Sequence, residues 1–340
     1  MTILAIETSC DDTAASVVRD GHVLSNIISS QAIHDTYGGI VPELASREHV
    51  KAIAPITTVA MQQAKCSVDD LDAIAVTYGP GLAGSLVVGT QFAKGLALRH
   101  AKPLIPIHHI EAHVYSGCMD HPDMTFPAIV LVVSGGHTSL FHVTSYDAYT
   151  VIGNTRDDAA GEAFDKVSKM LGLGYPGGPH IDRLAASGDR ALHDFPRGLM
   201  HDGTYDFSFS GLKTAVKYFL RDHPVGTEHG SRLEDICASV QGAIVDVLVS
   251  KTMAAATAHM VSSVFIAGGV SANSELRRRM HDACAAKGVR FAAPDLRYSV
   301  DNAAMIGFLA EQRLRSGHTL GSGLDVSVEP NAIRSAWRRM

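Results

Sequence analysis

The chain has few cysteines and no long apolar run, and these two shortages exclude several classes of protein. Its five cysteines lie far apart in 340 residues without Cys-x-x-Cys spacing, which argues against a disulfide framework or a cysteine-based zinc site. No apolar run approaches the roughly 18–20 residues that a membrane-spanning helix needs. The segment Met1–Glu7 has no basic stretch of the kind that begins a secretion signal. We therefore expect a cytoplasmic protein with reduced thiols and no membrane partner.

Positive charge is also scarce, since 29 lysines and arginines stand against 35 acidic residues and the net charge is −6. Such a chain is not built for indiscriminate binding of nucleic acid. A local basic patch is still compatible with it, and Arg277–Arg279 is one candidate, although adjacent arginines are more often a solvated helix face. The aromatic- and serine-rich segment Phe195–Thr214, which includes Arg197 and Lys213, predicts either a lid or RNA-facing surface or a plug between elements.

One order of elements occurs twice in the chain. Near the start, the apolar segment Ile3–Ile6 is followed by a polar turn at Glu7–Thr13 and a second apolar segment at Ala14–Val18. The same strand, turn and strand return over 128–143, with Ser134–Thr138 as the turn. The repetition predicts two related lobes, each opening with a turn that offers backbone N–H groups to an anion.

Glycine-rich turns between strands and helices are the second recurring feature. Tyr78–Ser85 precedes a predicted helix over 86–98, and Gly268–Asn273 precedes another over 274–287. A strand, a glycine-rich turn and a helix N-terminus form a geometry suited to phosphate. Neither turn is a Walker A loop, because no Gly-Lys-Ser/Thr follows. A third such segment, Gly172–Pro179, lets backbone approach a ligand closely.

Together these elements predict an α/β protein with a two-lobed actin/hexokinase/Hsp70-like (ASKHA, RNase H-like) fold. We expect duplicated lobes with the active site in the cleft between them. The N-terminal lobe is predicted to span 1–108, joined by the C-terminal segment 303–340. The second lobe is predicted to span 109–302 and to carry a metal site, described next, and most nucleotide-binding residues.

A histidine pair is the strongest candidate for metal binding. His109 and His113 lie about one helical turn apart and so face the same side of a helix. Two imidazoles can share one ion, but the chain has 18 histidines and a third ligand must come from elsewhere. Asp301 stands at a predicted helix start, where a carboxylate either caps the helix or binds a metal.

Long motifs in fixed order give the sequence a specific resemblance. Through them the chain resembles the bacterial tRNA adenosine threonylcarbamoyltransferase family, TsaD, formerly called a glycoprotease. The resemblance covers nearly the whole chain. Its motifs are Ile6–Asp11, Tyr37–Arg47, Gly79–Leu82, His109–His113, Val133–Thr138, Asp157–Lys166, Tyr175–Pro179, Phe207–Thr214, Ala267–Asn273 and Asp301–Asn302.

The resemblance implies transfer of a threonylcarbamoyl group from threonylcarbamoyl-AMP to N6 of adenosine 37 in tRNAs that read codons beginning with A. The products would be the modified base t6A and AMP. It implies one divalent metal ion, iron in first place and zinc as the alternative, held by His109, His113 and Asp301. It also implies three partners, namely tRNA, an inactive TsaB-like paralogue and a small TsaE-like P-loop ATPase. Residues matching the family's acyl-adenylate site are Val132, Val133, Ser134, Gly135, Gly136, His137, Asp165, Gly178, Asp182 and Asn273.

The adenine amine is a poor nucleophile and needs an acceptor for its proton. We assign this role to Asp11, on the first turn, as orienting group or general base. Three positions depart from the family, which has Glu at Asp12, Gly at Ala112 and Thr at Val300. Loss of the hydroxyl at Val300 removes a candidate partner of the metal site.

Rival functions are weaker. A zincin metalloprotease has His-Glu-x-x-His, whereas Glu111 follows His109 by two residues, roughly 200° around the helix. A small-molecule kinase of the same fold would hold Mg²⁺ through carboxylates, and a histidine pair suits a softer metal. An inactive scaffold would resemble the family's paralogue, which lacks the metal histidines.

Overall fold

The computed structural model describes the chain except residues 38, 122–123, 147, 224, 226–230, 318–322 and 333–340. Parts of the motif Tyr37–Arg47 and of the segment 303–340 therefore lie outside the described residues. The strands are β1 (Thr2–Glu7), β2 (Asp12–Arg19), β3 (His22–Ser30), β4 (Ala73–Gly79), β5 (Leu104–His108), β6 (Ala128–Val133), β7 (Thr138–Ser145), β8 (Ala148–Asn154), β9 (Ser263–Ala267) and β10 (Arg290–Ala292). The α-helices are α1 (Pro42–Gln63), α2 (Ala83–His100), α3 (His109–Ser116), α4 (Ala160–Met170), α5 (Gly177–Ala185), α6 (Ser210–Asp222), α7 (Leu233–Ala258), α8 (Ser274–Ala286) and α9 (Ala303–Arg315).

The chain divides into two compact units, which we call unit 1 (Met1–Pro122 with Val300–Arg339) and unit 2 (Asp123–Ser299). These limits differ from the predicted boundaries at 108/109 and 302/303. They place α3 in unit 1 because α3 packs against α9. A fully buried ion pair joins the two helices, with Arg313 Nη2 2.6 Å from Glu111 Oε2.

Unit 1 is built on a five-stranded mixed sheet in the order β3-β2-β1-β4-β5. β1, β2 and β3 form an antiparallel meander, and β4 and β5 then add in parallel to β1. Residues of β1 and β4 are almost all buried on both faces, as expected for parallel strands covered by helices. The carboxyl ends of β1, β4 and β5 meet at one edge of this sheet.

Unit 2 repeats the same order with its own strands, β10-β9-β6-β7-β8. β6, β7 and β8 form the antiparallel meander, and β9 and β10 add in parallel. The duplication predicted from the sequence is therefore confirmed. The turns at 8–11 and 134–137 occupy the same place in each sheet, between its central strand and the strand that pairs with it antiparallel.

α7 forms the centre of the apolar core of unit 2. The expectation that no apolar run approaches the length of a membrane span is wrong for α7, whose length and composition alone would allow it to cross a membrane; it is the only such helix among the described residues. However, 89% of its most apolar stretch is buried inside the protein, as in the core helix of a soluble protein. The burial of α7 is consistent with a role in the protein core.

Candidate functional site

A candidate metal centre lies in unit 1, where α3 begins and just before α9. His109 and His113 are one turn apart on α3, with ring centroids separated by 4.7 Å. Asp301 Oδ1 is 3.0 Å from His113 Nε2 and 3.5 Å from His109 Nε2. The three donor atoms lie within 4.8 Å of one another. Two imidazoles and a carboxylate converging in this way form a possible metal site, as the sequence predicted.

A second carboxylate lies behind His109. Glu7 is fully buried at the end of β1, and its Oε2 is 3.1 Å from His109 Nδ1. The same oxygen accepts from the Thr77 hydroxyl, while the other accepts from the Ser9 N–H. A carboxylate that accepts from Nδ1–H leaves the Nε2 lone pair free to bind a metal. The Glu7 contact therefore fits a metal on the Nε2 side.

The electrostatic field of the centre favours a cation. Burial opposes charge on His109, but Asp301 and Glu7 outweigh it and raise the pKa of that ring to about 9. Burial raises the pKa of Asp12 to about 6, and the neighbouring carboxylates act in the same direction. Uncompensated negative charge in a buried site can be neutralised by a proton or by a divalent ion. The carboxylates that act on one another here are Glu7, Asp11, Asp12 and Asp301.

Asp301 is positioned by the start of α9. Asn302 caps this helix, since its Oδ1 accepts from Met305 N–H at 3.0 Å, and its Nδ2 donates to the Val300 carbonyl at 2.8 Å. Asp301 is thus left to face the histidines rather than to cap the helix itself. The Val300 side chain is 45% exposed, and the loop is held through its backbone, so the hydroxyl that the family has there is not needed for this bond.

Three further sequence expectations concern α3 and the first turn. Glu111, roughly 200° around α3 from His109, pairs with Arg313. Ala112, where the family has glycine, is fully buried within α3. Asp11 lies half-buried in the turn between β1 and β2, beside the Cys10 thiol. This places it in the same turn as Ser9, whose hydroxyl is 3.2 Å from His109 Nδ1.

A cavity of about 390 Å³ lies within unit 2. It is bounded by the turn after β6, by α4, by the N-terminus of α5 and by the turn that follows β9. Cavities of this size suit a ligand of nucleotide dimensions. The residues assigned to the adenylate that line it are Gly135, Asp165, Gly178, Asp182 and Asn273.

The polar side chains of this cavity also hold its walls together. Asp165 Oδ1 accepts from Gly177 N–H at 2.7 Å, and Asp182 accepts from the N–H and hydroxyl of Ser274. Asn273 caps α8 through its Oδ1, and its Nδ2 donates to Gln241 Oε1 at 2.7 Å. Burial raises the pKa of Asp165. Each side chain is therefore preorganised by neighbours before any ligand binds.

Glycines form the open parts of the cavity wall and its tightest junctions. A Cβ added at Gly135 or Gly178 would meet no atom within 4 Å, so backbone there can come close to a ligand. At Gly268 the φ angle is +84°, and a Cβ would lie 2.6 Å from the Val133 carbonyl oxygen. Only glycine allows the turn after β9 to lie this close to the end of β6.

The remaining assigned residues occupy the strand and turn beside the cavity. Val132 and Val133 are fully buried in β6. Ser134 N–H donates to the His137 carbonyl at 2.8 Å, closing the turn that carries Gly136. The sequence assignments missed other lining residues, although the motif Tyr175–Pro179 and its neighbours signalled some of them. These residues are Gly161, Phe164, Tyr175, Pro176, Pro179, Arg183, Gly269, Val270 and Ala272.

The segment Phe195–Thr214 includes both a plug and an exposed surface. Phe207 and Phe209 are buried in the core of unit 2, with ring centroids 6.4 Å apart. Asp157 accepts from Phe209 N–H at 2.8 Å and from the hydroxyls of Ser208 and Ser210. Residues 207–210 of the segment are thus fixed, and Lys213 is exposed on α6.

Comparison with solved structures defines the class of protein. HypF in its phosphate- and nucleotide-bound form superposes with a TM-score of 0.60 at 13% identity, covering 94% of this chain and 47% of HypF. Component A of the Acidaminococcus fermentans (R)-2-hydroxyglutaryl-CoA dehydratase superposes at 0.55 with 15% identity, covering 91% of this chain and 95% of that one. These likenesses show the fold, which is of the ASKHA type.

Sequence relatives define the family within that class. The profile described as "TsaD: tRNA N6-adenosine threonylcarbamoyltransferase" matches residues 22–308. The proteins of that name from Chlorobium phaeobacteroides (strain BS1) and Salinibacter ruber (strain DSM 13855 / M31) are each 52% identical to this chain. They cover 96% of it and 97% and 98% of their own lengths. The chain belongs to the TsaD family and is a transferase. The kinase and protease alternatives find no support among these relatives.

Proposed function

We propose that this chain transfers the threonylcarbamoyl group from threonylcarbamoyl-AMP to N6 of adenosine 37 in tRNAs that read codons beginning with A. The observation that carries the proposal is the convergence of His109 Nε2, His113 Nε2 and Asp301 Oδ1 in a member of the TsaD family. In the reaction, N6 attacks the carbamoyl carbon, a C–N bond forms, the mixed anhydride C–O bond breaks, and AMP leaves. The N6 proton passes to a base.

The cavity of unit 2 is the proposed site for the adenylate part of the donor. Gly135 and Gly178 leave room for backbone to approach phosphate or ribose. The N-terminus of α5 borders the cavity at Gly178, and a helix N-terminus is a favourable end for an anion. Asp165 and Asp182 offer carboxylate oxygens that suit ribose hydroxyls. Each is already oriented by the backbone N–H that it accepts.

The proposed metal ligands are His109, His113 and Asp301. Two imidazoles with one carboxylate are the donor set of non-haem iron sites, and zinc accepts the same donors, so we place iron first and zinc second. When bound, such an ion acts as a Lewis acid that polarises a carbonyl or phosphoryl oxygen. The chain's own contribution is orientation, since Glu7 fixes His109 and Asn302 fixes the loop of Asp301.

Asp11 is the proposed acceptor for the N6 proton. It lies in the same turn as Ser9, which contacts the His109 ring. Asp11 is half-buried, so its carboxylate is reachable from solvent. General-base assistance of this kind contributes typically 10²–10⁴-fold to a rate.

The proposal includes partners and a compartment. We propose that tRNA is the acceptor, that a TsaB-like inactive paralogue and a small TsaE-like P-loop ATPase assist this chain, and that it acts in the cytoplasm. Family membership supports these assignments, and the burial of α7 is consistent with a protein free of membrane.

A transfer assay tests the function directly. Synthetic threonylcarbamoyl-AMP carrying labelled threonine is incubated with a tRNA transcript that has adenosine 37, with and without the two partners. We expect label in the tRNA and release of AMP, loss of both with a chelator, and no label in a matched transcript with guanosine 37. Equal labelling of both transcripts, or full activity of the His109→Ala, His113→Ala double variant, would overturn the proposal.

A further inference from the structure

A row of cations lines the exposed side of α6. Lys213, Lys217 and Arg221 are spaced by four residues, so that each lies about 6 Å and roughly 40° from the next along the helix. All three are exposed, and the ring of Tyr218 beside them is 54% exposed. We call these four residues the α6 cationic face.

The opposite side of α6 packs into the core of unit 2, so the cationic face points to solvent. Leu212 and Val216 are buried in the core of unit 2. The start of the helix is fixed by Asp157, which accepts from the N–H and hydroxyl of Ser210. The cationic face is therefore a rigid, outward-facing surface on a packed helix.

The lysines and the arginine of this face differ in how far their charge is compensated. Among the described residues, neither Lys213 nor Lys217 forms an ion pair or a hydrogen bond. Arg221 is different, because Asp222 accepts from its Nε at 2.8 Å and its Nη2 at 3.2 Å. Its guanidinium also lies 5.3 Å from the Tyr218 ring centroid. The free positive charge thus comes chiefly from the two lysines.

The arginine triplet on α8 does not offer an equivalent surface. Arg277 donates to the carbonyls of Ser271 and Pro294, and Arg279 pairs with the carboxylate of Asp246. Only Arg278 of the triplet remains largely solvated, with 63% of its side chain exposed. The sequence favoured a solvated face for these arginines, but two of the three are used within unit 2.

We propose that the α6 cationic face binds the phosphate backbone of tRNA, an inference that rests on the proposed function. Unpaired, exposed lysines on a chain with net charge −6 are complementary to a polyanion. Tyr218 adds a ring on which an unpaired base can stack. Within α6, which is described throughout, Tyr218 is the one large apolar side chain that is exposed, so the face offers little to an apolar protein partner.

The experiment compares tRNA binding by the full chain and by the double variant Lys213→Gln, Lys217→Gln. We expect about tenfold weaker binding at physiological salt, and a log–log salt slope shallower by about 2 units, one for each lost phosphate contact. In the transfer assay the KM for tRNA should rise while kcat is retained. The variant Lys213→Arg, Lys217→Arg should restore binding, because it keeps both charges.

The matched control is the double variant Arg278→Gln, Lys287→Gln, which removes the same charge from α8 and the residue after it in the same unit. Equal weakening by both variants would show general attraction and overturn the inference, as would unchanged binding by the α6 variant. Normal tRNA binding with failed assembly with the paralogue would assign the face to an acidic protein instead. An unaltered chain that binds tRNA through α6 yet transfers nothing would refute the proposed function alone.

Discussion

At the scale of single residues, Glu7 determines which nitrogen of His109 can bind a metal. One Glu7 oxygen accepts from the Ser9 N–H, and the other faces the Thr77 hydroxyl and His109 Nδ1. A glutamine here would keep its oxygen toward Ser9 and turn its amide N–H₂ toward Nδ1. The ring would then have to carry its proton on Nε2, the nitrogen that faces Asp301.

We therefore predict that Glu7→Gln weakens metal affinity by about 10–100-fold while the fold is retained. Calorimetric titration with Zn²⁺ and Fe²⁺ measures the affinity, and ¹⁵N shifts of the His109 ring in the metal-free protein, recorded well above pH 9 where the ring is neutral, report the tautomer. Thr77→Val is the matched control, since it touches the same carboxylate but leaves the Nδ1 contact in place. Unchanged affinity with an unchanged tautomer in Glu7→Gln would refute this role.

Asp11 is tested by a change that keeps its shape and removes its charge. Asp11→Asn should lower the transfer rate by about 10²–10⁴-fold, because the amide cannot accept the N6 proton. Binding of AMP in unit 2 and of metal in unit 1 should be unaffected. The control Asp12→Glu, which installs the family's residue next to it, should keep transfer. Near-normal transfer by Asp11→Asn with intact substrate binding would remove Asp11 from the mechanism.

Local spacing made some of these residues predictable from the sequence and left others hidden. His109 and His113 are one turn apart on a single helix, so a short motif contains their geometry. Glu7 reaches His109 only because β1, β4 and β5 are parallel neighbours whose carboxyl ends meet at one edge. That adjacency depends on the order of the strands in the sheet, which cannot be read from a short stretch of sequence.

At the scale of elements, the ends of the helices could mostly be predicted from local sequence signals. Pro42 occupies the first turn of α1, a position that favours proline, and α8 begins at Ser274 as predicted and ends at Ala286, one residue before the predicted limit. α2 begins at Ala83, three residues before the predicted start, because its glycine-rich turn already adopts helical backbone. The lobe boundary differed most, since the packing of α3 on α9 joins segments far apart in sequence.

Asp246 on α7 binds three arginines of unit 2, two from loops and one from α8. It pairs with Arg190, Arg197 and Arg279. Burial opposes its charge, but these guanidinium groups prevail and hold the pKa of Asp246 below its usual range. A lowered pKa in the folded state means that the unfolded chain binds the proton first.

The stabilisation from Asp246 should therefore be complete above the ordinary carboxyl pKa of about 4 and be lost as the pH falls below it. We predict that Asp246→Asn lowers the free energy of unfolding at pH 7 and flattens its dependence on pH between about 5 and 2. Urea unfolding of unaltered and variant protein across this range measures both effects. Asp282→Asn, which neutralises an exposed carboxylate on α8, serves as control and should leave the curve unchanged. A variant curve parallel to that of the unaltered protein would contradict the assignment.

At the scale of the whole molecule, the duplicated sheet order has acquired two different sites. In unit 1 the carboxyl ends of the parallel strands carry a buried carboxylate and a histidine pair. In unit 2 the same edge carries open glycine turns and a cavity without a comparable histidine cluster among the described residues. One topology thus presents metal donors in one unit and a nucleotide-sized cavity in the other. The repeated order of strands could be predicted from the sequence. The difference between the two sites became clear only from the side-chain contacts in the structure.

Because each site lies within its own unit, metal and nucleotide should protect different backbone segments from hydrogen exchange. We predict that Zn²⁺ slows exchange in α3 and at the start of α9, whereas AMP slows it at the start of α5 and in 268–273. At a ligand concentration 100 times the dissociation constant, the local stabilisation should approach about 2.7 kcal/mol. His113→Ala should abolish the metal effect and retain the AMP effect, and Asp182→Ala should weaken the AMP effect while retaining the metal effect. If AMP protected only α3, or if either variant removed both effects, the assignment of the two ligands to the two units would be wrong.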